Sequence, residues 1–180
     1  FRSMSHHLLI NQGSHEFHTI NYLDDSKLPF LHSQGLIDYD LDGDLDIVAI
    51  EKEGDEQFYV FRNNGFNQNG DIILEQVFSY IQLDGSTSRT LAIADYDNDG
   101  DQDIYIPRKY GKNWLFENQT LQGSYDNVVY NSSPDNLFIE VAEQNNIDDD
   151  SFQGLGSMGY GAAWGDYDND NDLDLSLIHI

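Results

Sequence analysis

Aspartate recurs at a fixed spacing in three nine-residue segments of the sequence, at residues 38–46, 95–103 and 166–174. Each segment has Asp at positions 1, 3, 5, 7 and 9 and Tyr at position 2. When a loop curls, side chains at alternate positions can point to a common centre, and carboxylate oxygens are ligands that Ca²⁺ prefers. We therefore predict three calcium-binding loops, with up to three bound Ca²⁺ ions, formed by Asp38, Asp40, Asp42, Asp44, Asp46, Asp95, Asp97, Asp99, Asp101, Asp103, Asp166, Asp168, Asp170, Asp172 and Asp174.

Position 6 is the place where such a loop needs backbone freedom. Gly43 and Gly100 occupy it in the first two loops, and Asn171 occupies it in the third. Glycine adopts a positive φ without cost, and Asn is the next most tolerant residue. We expect the third loop to keep the same backbone at a modest cost in stability.

The alternative is that these aspartates form ordinary solvated turns, because Asp favours turns and charge runs usually face water. A solvated turn needs polarity but no fixed spacing, whereas the spacing here is the same in all three copies. Carboxylates held roughly 4 Å apart repel each other by on the order of 1 kcal/mol per pair or more. Such a loop would open or take up protons without a cation, so the repetition favours metal binding.

Two other kinds of calcium loop do not match the sequence. An EF-hand needs a bidentate Glu at position 12, but that position is Ala49, Ile106 and Leu177 in the three loops. The Gly-Gly-rich nonapeptides of calcium-binding β-helices are absent as well. Short apolar segments typical of β-strands flank each loop, such as residues 35–37 and 47–50 around the first. Each loop is therefore predicted to be the tip of a β-hairpin.

Residues 92–104, with the sequence Ala-Ile-Ala-Asp-Tyr-Asp-Asn-Asp-Gly-Asp-Gln-Asp-Ile, resemble the FG-GAP or VCBS repeat. Segments 59–65 and 113–118, together with 8–17, are similar to the third strand of such a repeat, and 137–142 is similar to its fourth strand. These repeats build the seven-bladed propeller of integrin α-chains and of many secreted bacterial proteins, some of which end in an ASPIC/UnbV domain. The resemblance implies an all-β fold, a partial β-propeller of about two to three four-stranded blades, with a calcium loop between strands 1 and 2 of each blade.

The resemblance also implies which atoms bind the ion. In the family, calcium is bound by the side chains at loop positions 1, 3, 5 and 9 and by the backbone carbonyl of position 7. In this sequence, the implied carbonyl ligands belong to Asp44, Asp101 and Asp172, and the other twelve aspartates supply side chains. The third loop departs from the family pattern at position 6, where Asn171 replaces glycine.

Four units follow from this reading of the chain. They are the end of a truncated blade at 1–33, a blade at 34–89, a blade at 90–153 and the start of a further blade at 154–180. Residues 175–180 match the translation of a transposon-end sequence used in DNA library preparation, so they are either an ordinary second strand or a non-native tail. We expect the chain to be a fragment whose partners include the remaining blades of its parent. The long polar connection at 119–136 is predicted to be a mobile insertion.

The composition excludes several classes of partner. The sequence has 33 acidic and 8 basic residues and a net charge of −25 at pH 7. No basic stripe is available to neutralise phosphates, so nucleic acid and anionic membranes are not expected partners. No apolar stretch is long enough to cross a bilayer. Cysteine is absent, which excludes disulfides and thiolate metal sites.

No catalytic constellation stands out in the sequence. The G-x-G-x-x-G spacing at 154–159 neither follows a predicted strand nor opens a helix, and no G-x-S-x-G motif is present. Trp114, Trp164, Tyr96 and Tyr167 are predicted to pack in the core or between blades rather than to bind sugar. We therefore do not expect this chain to be an enzyme.

Two functions remain open at this point. The first is a non-catalytic, calcium-rigidified scaffold that binds a protein or glycan outside the cell, as the integrin-like resemblance implies for cell adhesion. The second is an accessory or catalytic propeller of a larger secreted carbohydrate-active enzyme. We prefer the first, although fold alone does not decide function. A secreted or cell-surface location is expected, because millimolar calcium suits loops of this class.

Overall fold

A computed structural model of the chain describes residues 7–21, 31–51, 57–81, 87–109, 111–122, 129–130, 137–148 and 159–179. Within these ranges the protein is all-β, with fourteen strands and no helix. The strands are β1 (His7–Gly13), β2 (Glu16–Asn21), β3 (Leu31–Ile37), β4 (Asp46–Glu51), β5 (Gln57–Phe66), β6 (Ile72–Ile81), β7 (Ala92–Ala94), β8 (Asp103–Ile106), β9 (Trp114–Asn118), β10 (Leu121–Gln122), β11 (Val129–Tyr130), β12 (Phe138–Glu140), β13 (Gly159–Gly165) and β14 (Asp174–His179).

Two four-stranded antiparallel sheets form the centre of the described structure. The first has the order β3-β4-β5-β6, and the second has the order β12-β9-β8-β7. The small β10–β11 hairpin lies between β9 and β12 in the chain without interrupting the second sheet. Both sheets are therefore simple meanders in which neighbouring strands follow one another. The all-β fold with four-stranded units is confirmed.

Each acidic loop connects the first two strands of its unit. The first loop joins β3 to β4, the second joins β7 to β8, and the third joins β13 to β14, which form a two-stranded sheet. The pairing continues up to the base of each loop, where Ile37 pairs with Asp46 and Ala94 pairs with Asp103. The predicted position of the loops at hairpin tips is thus confirmed.

The core lies mainly between the two large sheets. Strands β4 and β8 are buried at every residue, which explains why they appear in the sequence as continuous apolar segments rather than as alternating ones. Phe58 of the first sheet stacks on Phe116 of the second, with ring centroids 4.7 Å apart. Phe138 contacts the ring of Phe58 edge-on, with ring centroids 6.2 Å apart.

The outer faces of both sheets are covered by hairpins. Tyr59 and Phe61 of the first sheet pack against a cluster that includes Leu8 of β1. Tyr105 and its neighbours in the second sheet pack against Trp164 and other apolar residues of the β13–β14 hairpin. The described units therefore follow one another as a stack, from hairpin to sheet to sheet to hairpin, and each contributes one layer.

The prediction of a mobile insertion at 119–136 is wrong for its first residues. Thr120 is 1% exposed, and its hydroxyl donates a hydrogen bond of 2.8 Å to the backbone carbonyl of Tyr39. Leu121 then begins the β10–β11 hairpin. Polar composition was a poor guide here, because these residues are held by contacts with loops far away in the sequence. Residues 123–128 and 131–136 lie outside the described part of the chain.

Two further features concern a membrane-spanning helix and the G-x-G-x-x-G spacing at residues 154–159. In the part of the chain that the structure describes, no helix has the length and hydrophobicity required to span a membrane. Of the G-x-G-x-x-G segment, only Gly159 is described, where it begins β13, and residues 154–158 fall outside the described ranges. A Cβ atom at Gly159 would lie 2.8 Å from Cβ of Pro107, so this glycine permits close packing of β13 against the end of β8.

Candidate metal centres

Position 6 has a left-handed backbone in all three loops. The φ angle is 93° at Gly43, 103° at Gly100 and 77° at Asn171. The expected positive φ at position 6 is confirmed, including the loop in which Asn replaces glycine. Asn tolerates this conformation better than other residues with a side chain, so the third loop has the same turn as the other two.

Position 4 is also left-handed, a feature that was not predicted from the sequence. The φ angle is 56° at Leu41, 59° at Asn98 and 63° at Asn169. Asn at position 4 of the second and third loops was a usable signal for this conformation. Leu41 concealed it in the first loop, because a leucine gives no indication of a positive φ.

Replacing Leu41 by Asn is expected to stabilise the protein by about 1 kcal/mol, because the left-handed conformation costs an ordinary L-residue roughly 1–2 kcal/mol and costs Asn less. Leu41 is 40% exposed and belongs to no apolar cluster of the described residues, so little packing is lost. Urea-induced unfolding at a fixed calcium concentration measures the difference. The matched control is Leu45→Asn, since Leu45 lies in the same loop, is 54% exposed and lacks a positive φ. An equal gain in both variants would contradict the explanation.

Backbone N–H groups hold two of the carboxylates in place. In every loop the N–H of position 6 donates to the position 1 carboxylate, and the N–H of position 7 donates to the position 5 carboxylate. The position 6 bonds are 3.1 Å at Gly43–Asp38, Gly100–Asp95 and Asn171–Asp166, and the position 7 bonds are 3.0, 3.0 and 2.9 Å at Asp44–Asp42, Asp101–Asp99 and Asp172–Asp170. The three loops therefore share these two backbone-to-carboxylate hydrogen bonds.

Each loop brings three carboxylates together, with one oxygen from each residue within 4.8 Å of the others. The groups are Asp38, Asp40 and Asp42; Asp95, Asp97 and Asp99; and Asp166, Asp168 and Asp174. Oxygens that bind one calcium ion at about 2.3–2.6 Å lie at most about 5 Å apart, so this spacing fits a single ion. In the first loop, Oδ1 of Asp38 is buried and has no hydrogen-bond partner, which leaves it available as a ligand.

Position 9 has a second role that the sequence did not reveal. Its carboxylate accepts hydrogen bonds from the backbone N–H of position 2 and, in the first two loops, also from the third strand of the sheet. The bonds to Asp46 come from Tyr39 at 3.2 Å and Asn63 at 2.8 Å, those to Asp103 from Tyr96 at 3.1 Å and Asn118 at 2.8 Å, and the bond to Asp174 from Tyr167 at 2.8 Å. A carboxylate oxygen has a second lone pair, so these bonds leave room for a cation.

The side chain at position 7 differs between the loops. Asp44 and Asp172 are exposed, whereas Asp101 is fully buried and accepts a 2.7 Å hydrogen bond at Oδ2 from the N–H of Leu121. Oδ1 of Asp101 is buried without a hydrogen-bond partner. Burial raises the pKa of Asp101 to about 8.

The second loop concentrates unfavourable negative charge. Burial raises the pKa of Asp103 to about 8, despite hydrogen bonds from Asn118 and Tyr96 that lower it. Burial also raises the pKa of Asp97 to about 6, with further contributions from the charges of Asp99 and Glu117. A bound divalent cation would provide a counter-charge for these carboxylates and so favour their ionised forms.

Two residues outside the loops reach the acidic clusters, and neither was predicted from the sequence. Arg62 of β5 places Nη2 at 2.9 Å from Oδ2 of Asp40 and at 3.3 Å from Oδ2 of Asp42. Glu117 of β9 accepts a 2.9 Å hydrogen bond from the hydroxyl of Tyr96. The only available signal was the shared pattern of the third strands, Phe-Arg-Asn at 61–63 and Phe-Glu-Asn at 116–118.

The first loop is also tied to the second sheet. Nδ2 of Asn118 donates a 2.9 Å hydrogen bond to the backbone carbonyl of Tyr39, and the hydroxyl of Thr120 donates to the same oxygen. The N–H of Asn118 donates to Asp103 of the second loop. Asn118 therefore contacts the first and second loops at once.

The aromatic predictions hold for three of four residues. Trp114 is 2% exposed, and Tyr96 stacks on Trp164 with ring centroids 6.2 Å apart. The prediction for Tyr167 is wrong, because this side chain is 89% exposed. The equivalent tyrosines of the first two loops, Tyr39 and Tyr96, pack against the unit that follows each of them, at Phe138 and Trp164. Tyr167 belongs to the last unit that the structure describes, so no described unit follows it.

Stacked four-stranded meanders with an acidic loop at the first turn define a β-propeller-like repeat module. Residues 38–106 match the model of a family described as FG-GAP-like repeat. This range includes the first two acidic loops and the whole of β4 to β8, and it confirms that the chain contains an FG-GAP repeat. No curated protein and no solved structure matched the chain.

Proposed function

We propose that this chain is a calcium-binding, β-propeller-like repeat module that acts outside the cell as a scaffold for a protein or glycan ligand. The observation that carries the proposal is the repeated grouping of three carboxylate oxygens within 4.8 Å at the same turn of three successive units. In this proposal the segments 34–89 and 90–153 are whole blades, and the remaining blades of a parent chain are their structural partners.

Calcium fits these loops better than magnesium does. Ca²⁺ accepts about six to eight oxygens in flexible geometry, whereas Mg²⁺ requires a near-octahedral shell and usually retains several waters. Each loop groups three carboxylates, from positions 1, 3 and 5 in the first two loops and from positions 1, 3 and 9 in the third, and left-handed residues at positions 4 and 6 curl the backbone around them. Such a crowded, all-oxygen site favours the larger ion.

A bound ion would fix more than the loop itself. The position 9 carboxylates already join the loop to the third strand, through Asn63 in the first sheet and Asn118 in the second. An ion held by positions 1, 3 and 5 would therefore fix the turn relative to three of the four strands. The role we propose is a rigid support for exposed loops, and it is non-catalytic because the loop carboxylates act as ligands.

FG-GAP repeats are typical of extracellular proteins, which supports the proposed location. Extracellular calcium is in the millimolar range, where modules with modest affinity are occupied. The net charge of −25 would also be partly neutralised by bound cations.

Isothermal titration calorimetry with CaCl₂ tests the proposal. We expect the double variant Asp97→Asn, Asp99→Asn to lose the heat of one site, because two of three clustered carboxylates in the second loop no longer carry charge. The matched control is Asp71→Asn with Glu75→Gln, which changes the charge equally at exposed positions outside the loops. MgCl₂ is expected to give a much weaker signal. Absence of calcium binding to the unmodified chain would overturn the proposal.

A further inference from the structure

We propose that, in the two four-stranded sheets, the residue facing the acidic loop from the third strand sets the calcium affinity of that loop, so that the second loop binds calcium more tightly than the first. This inference rests on the proposed calcium function. The residues concerned are Arg62 at the first loop and Glu117 at the second.

The strand register shows that Arg62 and Glu117 are equivalent. Ile47 follows loop position 9 of the first loop and pairs with Phe61, the residue before Arg62. In the second sheet, Ile104 follows position 9 and pairs with Phe116, the residue before Glu117. Both side chains therefore occupy the same place relative to their loops, but they have opposite charges.

Arg62 competes with a metal ion for the ligands of the first loop. Its guanidinium pairs with Asp40 at 2.9 Å and with Asp42 at 3.3 Å, and these residues supply two of the three clustered carboxylates. A calcium ion entering this loop must either displace the guanidinium or bind beside a positive charge. Both alternatives weaken binding, since like charges at such distances repel strongly in a partly buried site.

Glu117 has the opposite effect at the second loop. Its hydrogen-bond donors are neutral, namely the Tyr96 hydroxyl at 2.9 Å and Nε2 of Gln119 at 2.8 Å. Among the described residues, no lysine or arginine pairs with Asp95, Asp97 or Asp99. The second site therefore presents an additional negative charge to an ion, where the first site presents a positive one. A difference of two unit charges beside a divalent ion is expected to separate the dissociation constants by about tenfold to a hundredfold.

The two loops would then fill at different calcium concentrations. The second loop would be occupied first. In the first loop, the guanidinium of Arg62 would stay paired with Asp40 and Asp42 until the calcium concentration rises further. The guanidinium of Arg62 thus supplies part of the positive charge that a calcium ion would provide, and it keeps the first loop ordered at low calcium.

Calorimetric calcium titration on single-loop backgrounds tests this inference. Asn substitutions at positions 3 and 5 of the other two loops leave one loop active, through changes at Asp97, Asp99, Asp168 and Asp170 in one background and at Asp40, Asp42, Asp168 and Asp170 in the other. We expect the first loop alone to bind at least about tenfold more weakly than the second alone. Arg62→Gln is expected to tighten the first site by about tenfold, and Glu117→Gln is expected to weaken the second severalfold. Arg62→Lys retains the charge and is expected to leave the first site weak.

The thermal midpoint without metal provides an independent readout. Without calcium, we expect Arg62→Gln to lower the midpoint, because Asp40 and Asp42 lose their counter-charge, and Glu117→Gln to raise it. A purely structural role for both residues would lower the midpoint in both variants. Equal calcium affinities at the two loops, unchanged by either substitution, would overturn this inference while leaving the calcium function intact. No binding by either background would instead overturn the calcium function itself.

Discussion

Saturating calcium is expected to raise the free energy of unfolding by about 2.7 kcal/mol for each loop whose dissociation constant lies a hundredfold below the free calcium concentration. The reason is that the three clustered carboxylates of a loop meet only in the folded chain. The spacing of 4.8 Å requires left-handed residues at positions 4 and 6 and hydrogen bonds across the loop, none of which persists on unfolding. Urea-induced unfolding with calcium and after its removal by a chelator measures the difference.

Two comparisons make this result specific. Magnesium at the same concentration is expected to give a clearly smaller gain, because the loops offer too many protein oxygens for its hydration preference. The Asp97→Asn, Asp99→Asn variant is expected to lose the part of the calcium-dependent gain in unfolding free energy that the second loop contributes. An identical gain from both ions, or an undiminished gain in that variant, would show that calcium acts by general screening of the negative charge.

The stabilisation by calcium is also expected to increase with pH. Burial raises the pKa of Asp101 and of Asp103 to about 8, far above the ordinary value near 4. In the metal-free protein, their protonated forms contribute stability that is fully present below about pH 4 and is lost as the pH rises through about 8. Asp103 offers its side chain to the proposed site and Asp101 lies beside the other loop carboxylates, so a bound calcium ion favours both ionised forms and releases protons. The effect of calcium therefore grows over the same interval. Thermal midpoints at about pH 5 and about pH 8 give the comparison, and a larger calcium effect at the lower pH would contradict it.

Replacing Phe58 by Ala is expected to destabilise the protein by about 3–5 kcal/mol. Phe58 is fully buried between the two large sheets, with Phe116 at 4.7 Å and Phe138 at 6.2 Å. The substitution removes apolar surface from both sheets and leaves a cavity that neither backbone can fill. Since domains of this kind are stable by only about 5–15 kcal/mol, the change removes a large part of the total.

The matched control is Phe66→Ala in the same strand. Phe66 is 56% exposed and belongs to no cluster of the described core, so its truncation is expected to cost well under 1 kcal/mol, as most surface changes do. Circular dichroism during urea unfolding measures both variants. Similar losses at the two positions would mean that the interface between the sheets contributes little to stability.

The sequence was sufficient to predict features that depend on local residue types. Gly43, Gly100 and Asn171 indicated the turn at position 6, and apolar segments on either side of each loop indicated hairpins. The family resemblance then supplied the four-stranded units. These features were predictable because backbone conformation and strand burial leave a direct pattern in the residues themselves.

Features that depend on pairing between distant segments were not predictable. The contact of Arg62 with Asp42 joins residues 20 apart, and that of Asn118 with Tyr39 joins residues 79 apart. Both follow from strand register, which the sequence does not state. Leu41 was missed for another reason, since the loop imposes a conformation that leucine alone does not favour.

The two hydrogen bonds from Asn118 and Thr120 to the carbonyl of Tyr39 have a consequence for biosynthesis. A growing chain completes the first sheet at Ile81, well before residue 118 has been added. During synthesis, the backbone of the first loop therefore lacks these two hydrogen bonds until Asn118 and Thr120 have emerged from the ribosome. The first loop therefore reaches its final form only after the unit that follows it in the chain has been made.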